Sequence, residues 1–137
     1  MSTKPSLLIV EDEPGVRYMT RVALSDDFTV DDVESGEDAL ERVAAHHYDL
    51  IMLDVLMPRI DGYTVCETIR AMPRGHEPKI VFCTGRGGIN GRARGRQVGA
   101  QAYVVKPFSP SALRLQLRAL VAGAMPPAAS VPEPLSA

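Results

Sequence analysis

Five short apolar runs divide the chain: 6–10 (SLLIV), 28–33 (FTVDDV), 49–53 (DLIML), 79–83 (KIVFC) and 102–105 (AYVV). Their length and their content of Val, Ile, Leu and aromatic residues are those of β-strands. Between them apolar residues recur at helical spacing, as Val16, Met19 and Ala23; Ala39, Leu40, Val43 and Ala44; Val65, Ile69 and Met72; and Leu113, Leu117, Leu120 and Val121. Ser35 followed by Asp38 resembles a capping box for the second of these helices, and Ser109-Pro110 suits the N-cap and first helical position of the last. The order predicted is β-α, repeated five times.

Strands that alternate with helices imply a parallel sheet covered on both faces, because each parallel return needs a crossover. Four of the runs are apolar throughout, as central strands are, whereas FTVDDV alternates apolar and polar positions and is placed at an edge. In such a doubly wound α/β sheet, the ligand site lies outside the carboxyl ends of the strands. The segment 86–99 (RGGINGRARGRQVG) stands where a fourth helix belongs. Its five glycines cost helix stability by about 1 kcal/mol each in a helix interior, so a short or mobile helix is expected. Residues 1–123 are read as one domain, and the Pro/Ala-rich 124–137 as a disordered tail.

Composition narrows the class. Cys66 and Cys83 lie inside apolar runs with no paired spacing, which fits reduced core thiols. The N-terminus has only four consecutive apolar residues before acids begin, and no run approaches ~18 residues, so neither a signal peptide nor a membrane span is expected. These features point to a soluble cytoplasmic protein. Charge is divided unevenly: residues 1–83 hold 8 Lys/Arg against 16 Asp/Glu, whereas 84–137 hold 7 against 1. His46, His47 and His76 show no ligand spacing and read as surface residues.

Polar residues gather where the sheet predicts a site. The first run leads into Glu11-Asp12-Glu13, the third into Asp54, the fourth into Thr84-Gly85 and the fifth into Lys106-Pro107. Folding would bring Glu11, Asp12 and Asp54 together, and carboxylates at close range repel unless they share a proton or bind a cation. A hard, oxygen-ligated cation such as Mg²⁺ resolves the conflict. A cation, an ammonium and a threonine hydroxyl converging on one carboxylate suit phosphoryl transfer, with Asp54 as an acceptor that becomes an acyl phosphate. Singly, each residue has a plainer reading, since an acid after a strand often only caps a helix. Their joint position and order carry the argument.

The stretches LLIVEDEP, LDVLMPRIDG, VFCTG and GAQAYVVKPF resemble the receiver domains of two-component response regulators, the CheY-like fold, over about residues 5–122. The resemblance implies a flavodoxin-like (βα)5 sheet of order 2-1-3-4-5, with Asp54 taking phosphate from a histidine kinase or a phosphotransfer protein. It also implies Mg²⁺, for which Mn²⁺ can substitute, bound by Asp12, Asp54 and the backbone carbonyl of Leu56, with Glu11 acting directly or through water. Thr84, Gly85 and Lys106 would bind the phosphoryl oxygens, and the Lys106-Pro107 peptide would be cis. Thr84 moving toward the phosphate while Tyr103 turns inward would carry the signal to the face of the fourth helix, fifth strand and fifth helix. Such a protein is a phosphoacceptor that catalyses only its own phosphorylation and dephosphorylation.

The sequence departs from the family pattern in ways that shape the expectation. Glu11 stands where Asp is commoner, and Gly85 where Ala is usual. Leu56 and Arg86 hold the variable positions two residues past Asp54 and Thr84. An apolar Leu56 cannot orient an attacking water and Arg86 can shield the phosphoryl group, so slow self-dephosphorylation is expected. The output face should carry Arg92, Arg94, Arg96, Arg114 and Arg118, with no acid from 84 to 132. Like charges oppose self-pairing there, which favours a monomer or weak dimer and an acidic protein partner. Without a recognition motif, and with an acidic first half, nucleic acid is not expected as a partner.

The function expected is therefore a stand-alone response regulator that switches protein binding. A phosphorelay intermediate and a phosphorylation-independent interaction module are the alternatives. A haloacid-dehalogenase-like phosphatase would need an acid at 56, where Leu56 stands. A nucleotide or flavin binder would need a glycine-rich loop after the first strand, where three acids stand.

Overall fold

The computed structural model describes residues 4–85, 97–106 and 108–123. In chain order the elements are β1 (Ser6–Val10), α1 (Pro14–Leu24), β2 (Thr29–Val33), α2 (Gly36–Ala45), β3 (Leu50–Asp54), α3 (Gly62–Arg70), β4 (Lys79–Thr84), β5 (Ala102–Val105) and α4 (Pro110–Val121). Residues 86–96 of the glycine-rich segment, the tail and Pro107 with its expected cis bond lie outside the described residues.

The five strands form one parallel sheet in the order β2-β1-β3-β4-β5, as expected. Alternating side chains feed two cores. One face packs Leu8, Val10, Ile51, Leu53, Ile80, Phe82 and Tyr103 against α2 and α3 residues such as Ala39, Val65 and Ile69. The other packs Leu7, Ile9, Leu50, Met52, Val81, Cys83 and Val104 against Leu24 of α1 and Leu113, Leu117 and Leu120 of α4. Alternating polar positions put β2 at one edge. The other edge is β5, which is apolar throughout because both of its faces are covered. Both cysteines are free and buried, and burial pushes the Cys66 thiol up to about 11.

Caps close the helices where the sequence proposes them. Ser35 accepts from the Asp38 N–H at 3.1 Å and Ser109 from the Ala112 N–H at 3.4 Å. Glu13 caps α1 through the N–H groups of Gly15 and Val16, so of the three acids after β1 this one has the plain helix-capping role. α1 is rotated relative to expectation. Thr20 and Leu24 face the core, while Met19 is 67% exposed beside Tyr18 and Val22. No helix among the described residues is long and apolar enough to cross a membrane.

Half-buried Arg70, at the end of α3, fixes the approach to β5. Its guanidinium donates to the carbonyls of Gly75, Pro78 and Gly99 and to the Gln101 side chain, at 2.6–3.1 Å. Gln101 accepts in turn from the Ile80 N–H at 2.7 Å. Among the described residues the charge neutralises no acid; it gathers backbone carbonyls at the start of the strand that leads to Lys106.

Candidate functional site

The carboxyl ends of β1, β3 and β5 meet in one acidic cleft. Glu11 follows β1, and its backbone is held from two sides, by its own N–H on the Val33 carbonyl at 3.1 Å and by Arg17 on its carbonyl at 2.8 Å. The residue is 5% exposed, and its side chain accepts from the Glu13 N–H. Asp12, next in the chain, is half-buried. Asp54 is the last residue of β3, one further along than the sequence run suggested, and is 6% exposed. One oxygen from each of Glu11, Asp12 and Asp54 lies within 4.8 Å of the others.

Asp54 is aimed by the turn that follows it. Its Oδ1 accepts the Leu56 N–H at 3.2 Å, and the Gly62 N–H closes the loop on the Val55 carbonyl at 2.9 Å. The loop passes so close to β3 that a Cβ on Gly62 would sit 2.3 Å from the Asp54 carbonyl oxygen. Only glycine allows this approach. Leu56 itself is 70% exposed.

Lys106, just past β5, reaches back into the cleft. Its Nζ lies 2.5 Å from Glu11 Oε1 and 3.4 Å from Asp54 Oδ2. Burial works against the ammonium, but Glu11 and Asp54 outweigh it and raise its pKa. The Asp54 carboxyl is pushed up to about 6, chiefly by burial and then by repulsion from Glu11, against the pull of Lys106 and the Leu56 N–H. Three carboxylates and one ammonium leave the cleft short of positive charge. Its hard oxygen donors and the half-buried Asp12, which leaves room for water, fit a divalent cation of the Mg²⁺ type.

The remaining predicted residues fall as follows. Thr84 ends β4 opposite Val105, one residue before Lys106; its side chain lies outside the described residues. Gly85 follows at the same end, and a Cβ there would meet nothing within 4 Å, so space alone does not demand glycine. Tyr103 is 1% exposed in β5, with its hydroxyl 3.2 Å from that of Tyr63.

Sequence reasoning missed three contributors: Tyr63, Arg17 and an apolar groove beside Lys106. The groove is lined by Val16, Met19, Thr20, Ala23, Phe108 and Pro110 as well as Lys106. Its signal in the sequence was the apolar stripe Val16, Met19 and Ala23, all three of which line it.

The proposed basic face needs a correction. Arg114 and Arg118 do not stand without acids, because the turn after α1 brings Asp27 to 2.9 Å and 3.9 Å from them. The partner comes from position 27, far outside the acid-free stretch 84–132. Arg92, Arg94 and Arg96 lie outside the described residues.

Comparison with known proteins gives a consistent result. Residues 7–118 match the family model described as the response regulator receiver domain. The transcriptional activator protein IrlR of Burkholderia pseudomallei is 40% identical over 116 residues, which cover 84% of this chain and 49% of the relative. Response regulator Rre1 of Synechocystis is 37% identical over 124 residues, covering 89% and 54%. The chain thus spans about half the length of the curated relatives it matches. Among solved structures, a putative response regulator from Chloroflexus aurantiacus aligns with TM-score 0.82 at 34% identity, covering 88% of this chain and 99% of that one. Chemotaxis response regulator CheY4 of Vibrio cholerae aligns with TM-score 0.79 at 28% identity, covering 87% and 99%.

Proposed function

The chain belongs to the response regulator receiver domain family of two-component signalling, and from that premise we propose that Asp54 accepts a phosphoryl group from a histidine kinase or phosphotransfer protein. The observation that carries this reading is the buried Asp54 carboxylate at the end of β3, with the Lys106 ammonium 3.4 Å away and two further carboxylates in reach. An Asp54 oxygen attacks phosphorus in line, the phosphorus–nitrogen bond to the donor imidazole breaks, and an acyl phosphate forms. Ionised Asp54 needs no general base.

Asp12, Asp54, the Leu56 carbonyl and Glu11 would hold Mg²⁺, which when bound supplies positive charge against the phosphoryl oxygens. Lys106 would give a second, fixed cation, and Thr84 with the Gly85 N–H would complete the oxygen contacts. The apolar groove beside Lys106, with exposed Met19 at its rim, offers the donor protein a docking surface next to the acceptor. Residues 1–123 act as the receiver unit, and phosphorylation switches binding of a downstream protein on the β5 side; transfer onward in a phosphorelay is the second use of the same chemistry.

The test is transfer of label from a phosphorylated histidine donor in Mg²⁺, and its loss on chelation. The same label gives a second expected result. Exposed, apolar Leu56 offers no group to orient water, so the acyl phosphate should decay over minutes or longer, and Leu56→Gln should shorten its life several-fold. A wild-type lifetime of only seconds contradicts this role for Leu56.

A further inference from the structure

We infer that the Tyr63 hydroxyl latches Tyr103 inward and thereby sets how readily the output face changes state; the inference rests on the receiver reading above. Tyr63 follows Gly62, whose N–H ties the start of α3 to the Val55 carbonyl at 2.9 Å. The ring is thus anchored to the same loop that aims Asp54. It packs edge-on against Phe82 at 5.0 Å between centroids, and Phe82 lies 6.0 Å from Tyr103, its register partner on β5. The hydroxyls of Tyr63 and Tyr103 are 3.2 Å apart.

Phe82 and Tyr103 are fully buried, and a phenol among such neighbours is held in place by a hydrogen-bond partner. Turning Tyr103 outward breaks the contact between the two hydroxyls, so their pairing biases the ring inward. Any shift of the loop around Asp54 that moves the first turn of α3 also moves the Tyr63 hydroxyl. Tyr63 touches no reacting atom. It is a positioning residue, a second link from the cleft to β5 beside the one through Thr84.

The test is nitration by tetranitromethane on the full chain, read tyrosine by tyrosine by peptide mass, for the wild type and Tyr63→Phe. Phenylalanine keeps the ring against Phe82 and removes only the hydroxyl. Loss of one neutral hydrogen bond should raise the outward population, and so nitration at Tyr103, roughly five-fold. Tyr48, buried at 4% exposure, is the internal control and should react at the same rate in both proteins. An unchanged Tyr103 rate overturns the latch, and so does equal acceleration at Tyr48, which would mean general loosening. Phosphorylation of the wild type by acetyl phosphate, measured in parallel, separates the two claims. Its failure would sink the receiver reading, while the latch is decided on nitration alone.

Discussion

Asp54→Asn should accept no phosphoryl group, and in metal-free buffer at pH 7 it should unfold several degrees above the wild type. The stability gain follows from the cleft. Burial and Glu11 hold the Asp54 carboxyl at about 6 in the fold, against an ordinary value of 3.8. At pH 7 the folded protein must therefore keep a charge that the unfolded chain carries without strain. For an acid whose folded pKa is raised, the favourable contribution is fully present below about pH 4 and is lost as pH rises through about 6. Discounted for solvent screening, ionising Asp54 costs the metal-free fold about 1–2 kcal/mol at pH 7. Asparagine removes that cost, keeps an oxygen for the Leu56 N–H and can donate to Glu11.

For a domain of this size the melting temperature should rise by roughly 3–8 °C at pH 7, and the difference should vanish near pH 4. Adding Mg²⁺ should raise the wild-type melting temperature by more than that of the variant. A variant that melts at or below the wild type at pH 7 would mean that the three carboxylates do not strain the site.

Gly62→Ala should be among the most damaging single substitutions in the chain. The new Cβ would meet the Asp54 carbonyl oxygen at 2.3 Å and the Val55 Cα at 2.9 Å. Both are backbone atoms of the strand end and the turn that aim Asp54, so relief requires the loop itself to move. The expected loss is roughly 3 kcal/mol of stability, with slower phosphorylation in whatever remains folded. Gly36→Ala is the informative comparison. Its Cβ would meet the side-chain ends of Ile60 and Val65 at 2.6 and 2.7 Å, which can give way more readily. Chemical denaturation of both variants checks this, and equal losses would contradict the special role of the Gly62 approach.

Much of the sheet was legible because strand and helix periods differ and alternate cleanly. The alternation in β2 correctly marked an edge. The apolar content of β5 did not reveal the other edge, because both of its faces are covered. Helical spacing placed α1 but not its exact rotation: Val16 and Ala23 are half-buried, whereas Met19 is exposed and Thr20 and Leu24 are the residues fully buried.

At the site, Glu11, Asp12 and Asp54 could be read as a cluster because the sheet topology puts strand ends together. The tight pairing of Lys106 with Glu11, ahead of Asp54, depends on side-chain reach and is invisible to spacing. The same holds for Asp27 beside Arg114 and Arg118, and for the two hydroxyls of Tyr63 and Tyr103.

The central claim is that Asp54 carries the phosphoryl group. The most direct measurement is the intact mass of the wild-type chain after acetyl phosphate with Mg²⁺, followed by borohydride reduction and peptide mapping of the trapped residue. The account predicts the gain of one phosphoryl group, lost when the metal is chelated, with the reduced residue at position 54. A chain that stays folded yet gains no phosphate from acetyl phosphate or from histidine donors, or one that carries it at another residue, would contradict it.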